Sequence, residues 1–151
     1  MNKKIILTHW LPGSGKSTLA EKLAKESGAV IFTTDDFYMK DGKYQFDFNF
    51  IRAAHDWNFG RFALAIFNGL EQAIIANTNL QAWSMAKYVE LTAPLGFDFE
   101  IVEPKTKWRY DAAELAKRNT HGVPLATIEK MLKDREDPKK IEVELRRKYY
   151  K

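Results

Sequence analysis

The 151-residue chain contains no cysteine. That excludes disulfides, thiolate metal sites and a cysteine nucleophile, and it suits a reducing compartment. No apolar run reaches the length needed to span a membrane. The short apolar segment near the start leads into a glycine-rich loop rather than a small-residue cleavage site, so no secretory leader is expected there. Internal repeats and low-complexity tracts are absent too. These absences predict a soluble, unprocessed chain of the cytoplasm with no membrane partner, and the length fits one domain over 1–151. Net charge is small, a formal +4, and it is uneven: residues 130–151 hold nine Lys or Arg against five Asp or Glu, which is the whole excess. A basic end can hold a polyanion, whereas a helix of mixed charge is more often only a solvated face.

What is present begins with Leu11-Pro12-Gly13-Ser14-Gly15-Lys16-Ser17-Thr18, directly after the apolar Ile5-Ile6-Leu7-Thr8 and directly before a helical pattern. Strand, glycine loop and helix in that order form a phosphate-binding P-loop. Gly13 and Gly15 let backbone N–H groups turn toward a polyanion, and the following helix presents its positive end. Residues Gly13 to Thr18 are thus the candidate ATP-binding loop, for ATP or another nucleoside triphosphate. Lys16 is suited to the β- and γ-phosphates and Ser17 to Mg²⁺. The pattern G-x-x-x-x-G-K-[ST] places its first glycine where this chain has Trp10. That ring either packs at the strand end or turns toward the nucleotide.

The rest alternates strand and helix. Strands are predicted over about 4–9, 29–32, 73–76 and 97–102, and helices over about 16–27, 51–69 and 82–92, with further helices from Asp111 and from Pro124. Gly28 stands where a helix C-cap would. Repeated β-α order implies a parallel sheet covered by helices on both faces, with the site beyond the carboxyl ends of the strands. Thr33-Thr34-Asp35-Asp36 and Asn77-Thr78-Asn79 stand at such ends. Between Asp41-Gly42 and residue 51, the aromatics Tyr44, Phe46, Phe48 and Phe50 alternate strictly. Such a run more often closes a core under a loop, although it could stack nucleobases. His55, Asn58 and Arg61 share one side of the second helix.

Taken together these stations resemble the P-loop polynucleotide kinase family, the kinase domain of the bacteriophage 5′-hydroxyl polynucleotide kinase and related AAA-like ATP-binding kinase domains. The matching pieces are the loop itself, Thr34-Asp35-Asp36-Phe37, Ala54-His55, Asn77-Thr78-Asn79, Glu103-Pro104 with Thr106 and Trp108, Leu115 to Asn119, and His121-Gly122-Val123-Pro124. The resemblance implies a three-layer α/β/α, adenylate-kinase-like P-loop fold with about four parallel strands. It implies Asp35 as the base at the acceptor hydroxyl, on a second strand beside the first, and Arg118 as a lid arginine for the transferring phosphoryl group. Asp35 and Asp36 could also serve the metal beside Ser17, and His55, Arg61, Asn79 and His121 are candidate acceptor contacts. Two further positions depart from the family: Tyr38 replaces the phage enzyme's arginine, and the third strand ends in Ala76 and Asn77 where the family has a carboxylate. The implied activity is ATP–Mg²⁺-dependent transfer to a hydroxyl, the 5′-hydroxyl of DNA or RNA foremost. A small-molecule or nucleotide kinase, and a catalytically weak nucleotide-binding module acting through a partner, stay open as readings.

Overall fold

Four short apolar segments of this chain lie side by side as one parallel sheet. The computed structural model describes residues 2–151. The strands are β1 (Lys4–Thr8), β2 (Val30–Phe32), β5 (Gln72–Ile75) and β6 (Asp98–Val102), in the order β2-β5-β1-β6. β1 is central, with Ile5 opposite Ala73 on one side and Phe99 on the other. Its KIILT sequence suits a strand covered on both faces, as parallel sheets require. Ile5 and Leu7 join a large core with Phe62, Met85 and Phe99, under α2 (Ile51–Phe67), α3 (Ala82–Thr92) and α6 (Pro138–Tyr149). Ile6 and Ile74 face the other way and meet Ala20 and Leu23 of α1 (Lys16–Ser27). The three-layer α/β/α arrangement is the expected one.

Beyond the carboxyl edge lie two smaller units. The first is a strap made by the hairpin β3 (Met39–Lys40) and β4 (Lys43–Tyr44), turned by Asp41 and Gly42, both with positive φ. The second is a lid of α4 (Ala112–Arg118) and α5 (Leu125–Asp134), joined through Asn119–Pro124. Trp10, Leu11, Leu115 and Ile128 form its apolar base.

Helix α1 spans the predicted residues, and Gly28 caps it at φ 78° with its N–H donated to Ala24 O. Three expectations are corrected. β2 does not neighbour β1, because β5 lies between them and bonds both. The aromatic run does not close a core under its loop: Asp47 caps a 3-10 turn at Phe48–Phe50, and Phe46, Phe48 and Phe50 stay exposed. The segment from Pro124 is two helices, because Pro138 cannot continue α5 but suits the first turn of α6, where Asp137 caps. Apart from these corrections, the basic end is tied to the domain along α6. Its Arg146 donates to Asp98 (3.0 Å) and to Phe99 O (2.9 Å), while Ile141 and Leu145 are buried in the main core. Among the described residues no helix is long and apolar enough to cross a membrane.

Candidate active site

The loop between β1 and α1 is shaped by two glycines in the left-handed region, Gly13 at φ 81° and Gly15 at φ 101°. Gly13 lies so close to the lid that a Cβ there would stand 2.4 Å from Leu115 O. The β6–α4 connection holds the loop from the same side, Trp108 Nε1 donating to Gly13 O (3.0 Å) and Thr106 Oγ1 to Ser14 O (2.8 Å). Gly13→Ala therefore combines left-handed strain with a backbone clash. It is expected to cost about 2–5 kcal/mol and to lower Tm by roughly 5–15 °C. A calorimetric melt matching the parent would contradict this packing.

At α1 the capping residue is Gly15, which has no side chain, and the first turn carries no acidic residue. The first-turn N–H groups are thus left for an anion. Lys16 Nζ folds back on Leu11 O at 3.0 Å. Burial pulls its ammonium down to about 8, and the nearby charge of Asp35 opposes that shift. Ser17 and Thr18 are exposed at the helix start.

Trp10 is settled by packing. It is buried against Leu115 and Ile128, its Nε1 donates to Arg109 O (2.6 Å), and it meets Tyr110 edge-on at 5.2 Å. The missing glycine is thus an anchor for the lid's base. Neighbouring His9 is fully buried and donates through Nδ1 to Glu103 at 2.6 Å, tying the ends of β1 and β6. Nothing in the residue pattern singled His9 out.

Asp35 lies in a 3-10 turn, Thr34–Tyr38, that follows β2. Neither aspartate caps that turn; Thr33 does, accepting from Asp35 N. Two neighbours fix the turn's position: Asn77 Oδ1 accepts from Thr34 N (2.9 Å), and Arg61 donates to Thr33 O and to Asp36 Oδ2, both at 2.9 Å. Arg61 in turn is held by Asn58 and lies over Trp57, so it buttresses the turn. Asp36 thereby has an arginine partner already, and Asp35, half-buried, is the carboxylate that lies beneath strap and lid loop. Tyr44 Oη donates to its Oδ1 at 3.4 Å, and His121 Nδ1 lies 3.6 Å from its Oδ2.

The remaining candidates are spread around this centre. His55 Nδ1 is 3.4 Å from Thr34 Oγ1, and burial lowers its basicity. It lines a cleft of about 240 Å³ with the Asn77–Gln81 turn, Trp83 and Lys130. Asn79 is buried in the left-handed region at φ 47°, and its amide donates to Thr8 O and Ile75 O, so it joins the strand ends at the back of that cleft. Arg118 lies on α4 with its guanidinium 3.6 Å over Trp108 and its Nε donating to Glu114 (2.7 Å). It is parked beside the loop's own tether. Ala76 packs in the cluster under α1.

As for the metal, no cluster of three His, Asp or Glu side chains exists among the described residues. Mg²⁺ keeps several waters and needs one or two protein contacts, so the exposed Ser17 and the half-buried Asp35 suit it.

A glycine loop, a partly buried lysine and a carboxylate at the carboxyl edge of a β2-β5-β1-β6 parallel sheet define a P-loop, kinase-like domain. Residues 5–138 match the AAA domain family, and the chain belongs to it. The chain is 43% identical over 129 residues to human NEDD4-binding protein 2, covering 85% of this chain and 7% of that protein. It is 26% identical over 132 residues to rat 2′,3′-cyclic-nucleotide 3′-phosphodiesterase, covering 85% of this chain and 30% of that protein. Among solved structures, a chain of the Pnkp1/Rnl/Hen1 RNA repair complex superposes with TM-score 0.65 at 21% identity, over 98% of this chain and 46% of that one. That likeness is one of fold, and fold and family together bear out the resemblance to P-loop kinases.

Proposed function

We propose that the chain transfers the γ-phosphoryl group of ATP to a hydroxyl, and that this hydroxyl is the 5′ end of a nucleic acid. The observation that carries this reading is geometric: the lid packs on Gly13 of the loop through Leu115 and Asn119 and brings its His121 within 3.6 Å of Asp35, so loop and carboxylate lie under one lid. Donor phosphates and acceptor hydroxyl then share one small space. The loop N–H groups and Lys16 hold and neutralise the triphosphate. Asp35 accepts the proton of the acceptor oxygen as that oxygen forms its bond to phosphorus and the bond to the β-phosphate oxygen breaks. Arg118 swings from Trp108 to the transferring group as the lid closes. Ser17 and Asp35 would hold Mg²⁺, which when bound would supply neutralisation of phosphate charge.

Two features favour a nucleic-acid acceptor over a small one. Phe46, Phe48 and Phe50, which follow Tyr44 of the strap in the chain, leave their rings exposed, and the neighbouring fold belongs to an RNA repair complex. The test is an acceptor screen with γ-labelled ATP, running 5′-hydroxyl and 5′-phosphate oligonucleotides beside nucleosides and sugars. Label is expected on 5′-hydroxyl oligonucleotides alone. Label on a sugar or nucleoside instead would move the reading to a small-molecule kinase.

A pH dependence follows from Lys16. Phosphate oxygens beside the ammonium favour its charged form, so its pKa in the complex lies above the value of about 8 in the free chain. Below pH 8 the lysine is already charged and triphosphate affinity is flat on its account. Above pH 8 binding must draw in a proton, and affinity is expected to fall with rising pH by up to about tenfold per unit. Calorimetry at pH 9 in two buffers of different ionisation enthalpy reads that proton directly. Equal heats in both would contradict the assignment of Lys16.

A further inference from the structure

Over Asp35 the strap and the lid meet ring to ring. Tyr44 of β4 and His121 of the lid loop stack with centroids 4.1 Å apart and planes 20° apart. Both also contact the carboxylate, one on each oxygen. His121 is presented by a built loop: Asn119 accepts from Val123 N (2.8 Å) and donates to Val123 O (3.1 Å) and Ala116 O (2.8 Å), which fixes residues 119–123 as a unit on α4. Tyr44 is backed on its own side by Tyr38 at 5.9 Å and by Phe46, nearly parallel, at 6.4 Å. Among the described residues no hydrogen bond joins strap to lid loop, so only the ring stack and the shared carboxylate hold the two together.

Resting on the transfer reading above, we propose that Tyr44 and His121 are the two jaws of a clamp for the terminal nucleobase of a single-stranded 5′ end. A planar base entering between them exchanges one ring–ring contact for two, while strap and lid loop separate by about one ring's thickness. The sugar's 5′-oxygen then hangs beside the carboxylate that both jaws already touch. Phe46, nearly parallel to Tyr44 and about half exposed, continues the stacking surface and receives the following base. A paired base cannot enter such a slot, because its partner strand would meet the jaws. The occupant is therefore single-stranded, and stacking accepts any of the bases.

The clamp is read by an oligonucleotide carrying 2-aminopurine at its 5′ terminus and a dye at its 3′ end, so that stacking and binding are followed separately. Parent and Tyr44→Phe, which keeps the ring and loses the hydroxyl, are expected to quench the terminal probe. Tyr44→Ala should leave it bright and raise KM for the oligonucleotide by about tenfold or more, with a smaller change in kcat. A probe moved to the penultimate 3′ position should not be quenched by any of them. A bright terminal probe in the parent complex, equal quenching in Tyr44→Ala, or equal affinity for a blunt duplex overturns the clamp. Quenching without phosphoryl transfer supports the clamp and overturns the kinase reading, and transfer without quenching does the reverse.

Discussion

Lys16→Ala is expected to lower phosphoryl transfer by about 10³-fold or more, the size associated with removing a fixed cation from a transferring phosphoryl group. The reason lies in where the ammonium is held. It is partly buried inside the loop, bonded to Leu11 O, and its basicity is already reduced by that burial. A charge so placed is screened little by water and has been desolvated before the ligand arrives. Triphosphate affinity should fall together with turnover, because the ammonium meets the phosphates in ground and transition state alike. The fold should survive, since Lys16 makes one loop contact while Ser14, Trp108 and Thr106 hold the loop independently. Calorimetric titration and a melt of the same sample check this. Unchanged triphosphate affinity in a folded variant would remove the loop from the site.

Asp35→Asn is expected to separate binding from chemistry. Triphosphate affinity should stay within a few-fold, while kcat with a 5′-hydroxyl acceptor falls by about 10²- to 10⁴-fold, as for loss of a general base. The exchange preserves shape, and Tyr44 Oη can still donate to the amide oxygen. The turn itself rests on Asn77, Arg61 and Thr33 rather than on the Asp35 carboxylate. Single-turnover transfer measured beside equilibrium binding distinguishes this from misfolding. Transfer at the parent's rate would remove Asp35 from the mechanism.

Much of this was legible in the chain because the signals are local. The P-loop needs residue types at fixed offsets, and the Gly28 cap and the periodicity of α1 are read within a dozen residues. The order of the strands is not local. A β-α unit after β2 can return on either side of β1, and nothing in Gln72–Ile75 announces that it enters between β1 and β2. The aromatic run misled for a related reason: alternation does not say what packs over the rings, and Phe46, Phe48 and Phe50 stay exposed around the Asp47-capped turn. Trp10 and Arg146 are read differently once their packing is known, one as the lid's anchor and the other as α6's tie to β6. The junction of Tyr44, Asp35 and His121 joins residues up to 86 positions apart by stacking and charge alone. His121 carried a family signal and Tyr44 an aromatic one, but no spacing in the sequence pairs them.

In the proposed reaction Asp35 directs a phosphoryl group onto a 5′ end. The most direct measurement incubates a single-stranded 5′-hydroxyl oligonucleotide with ATP and Mg²⁺ and then treats it with an exonuclease that degrades only 5′-phosphorylated strands. After incubation with the parent chain the oligonucleotide is expected to be degraded, and after Asp35→Asn over the same period to stay intact. An oligonucleotide that stays intact after the parent chain, or is degraded equally after both, would contradict it.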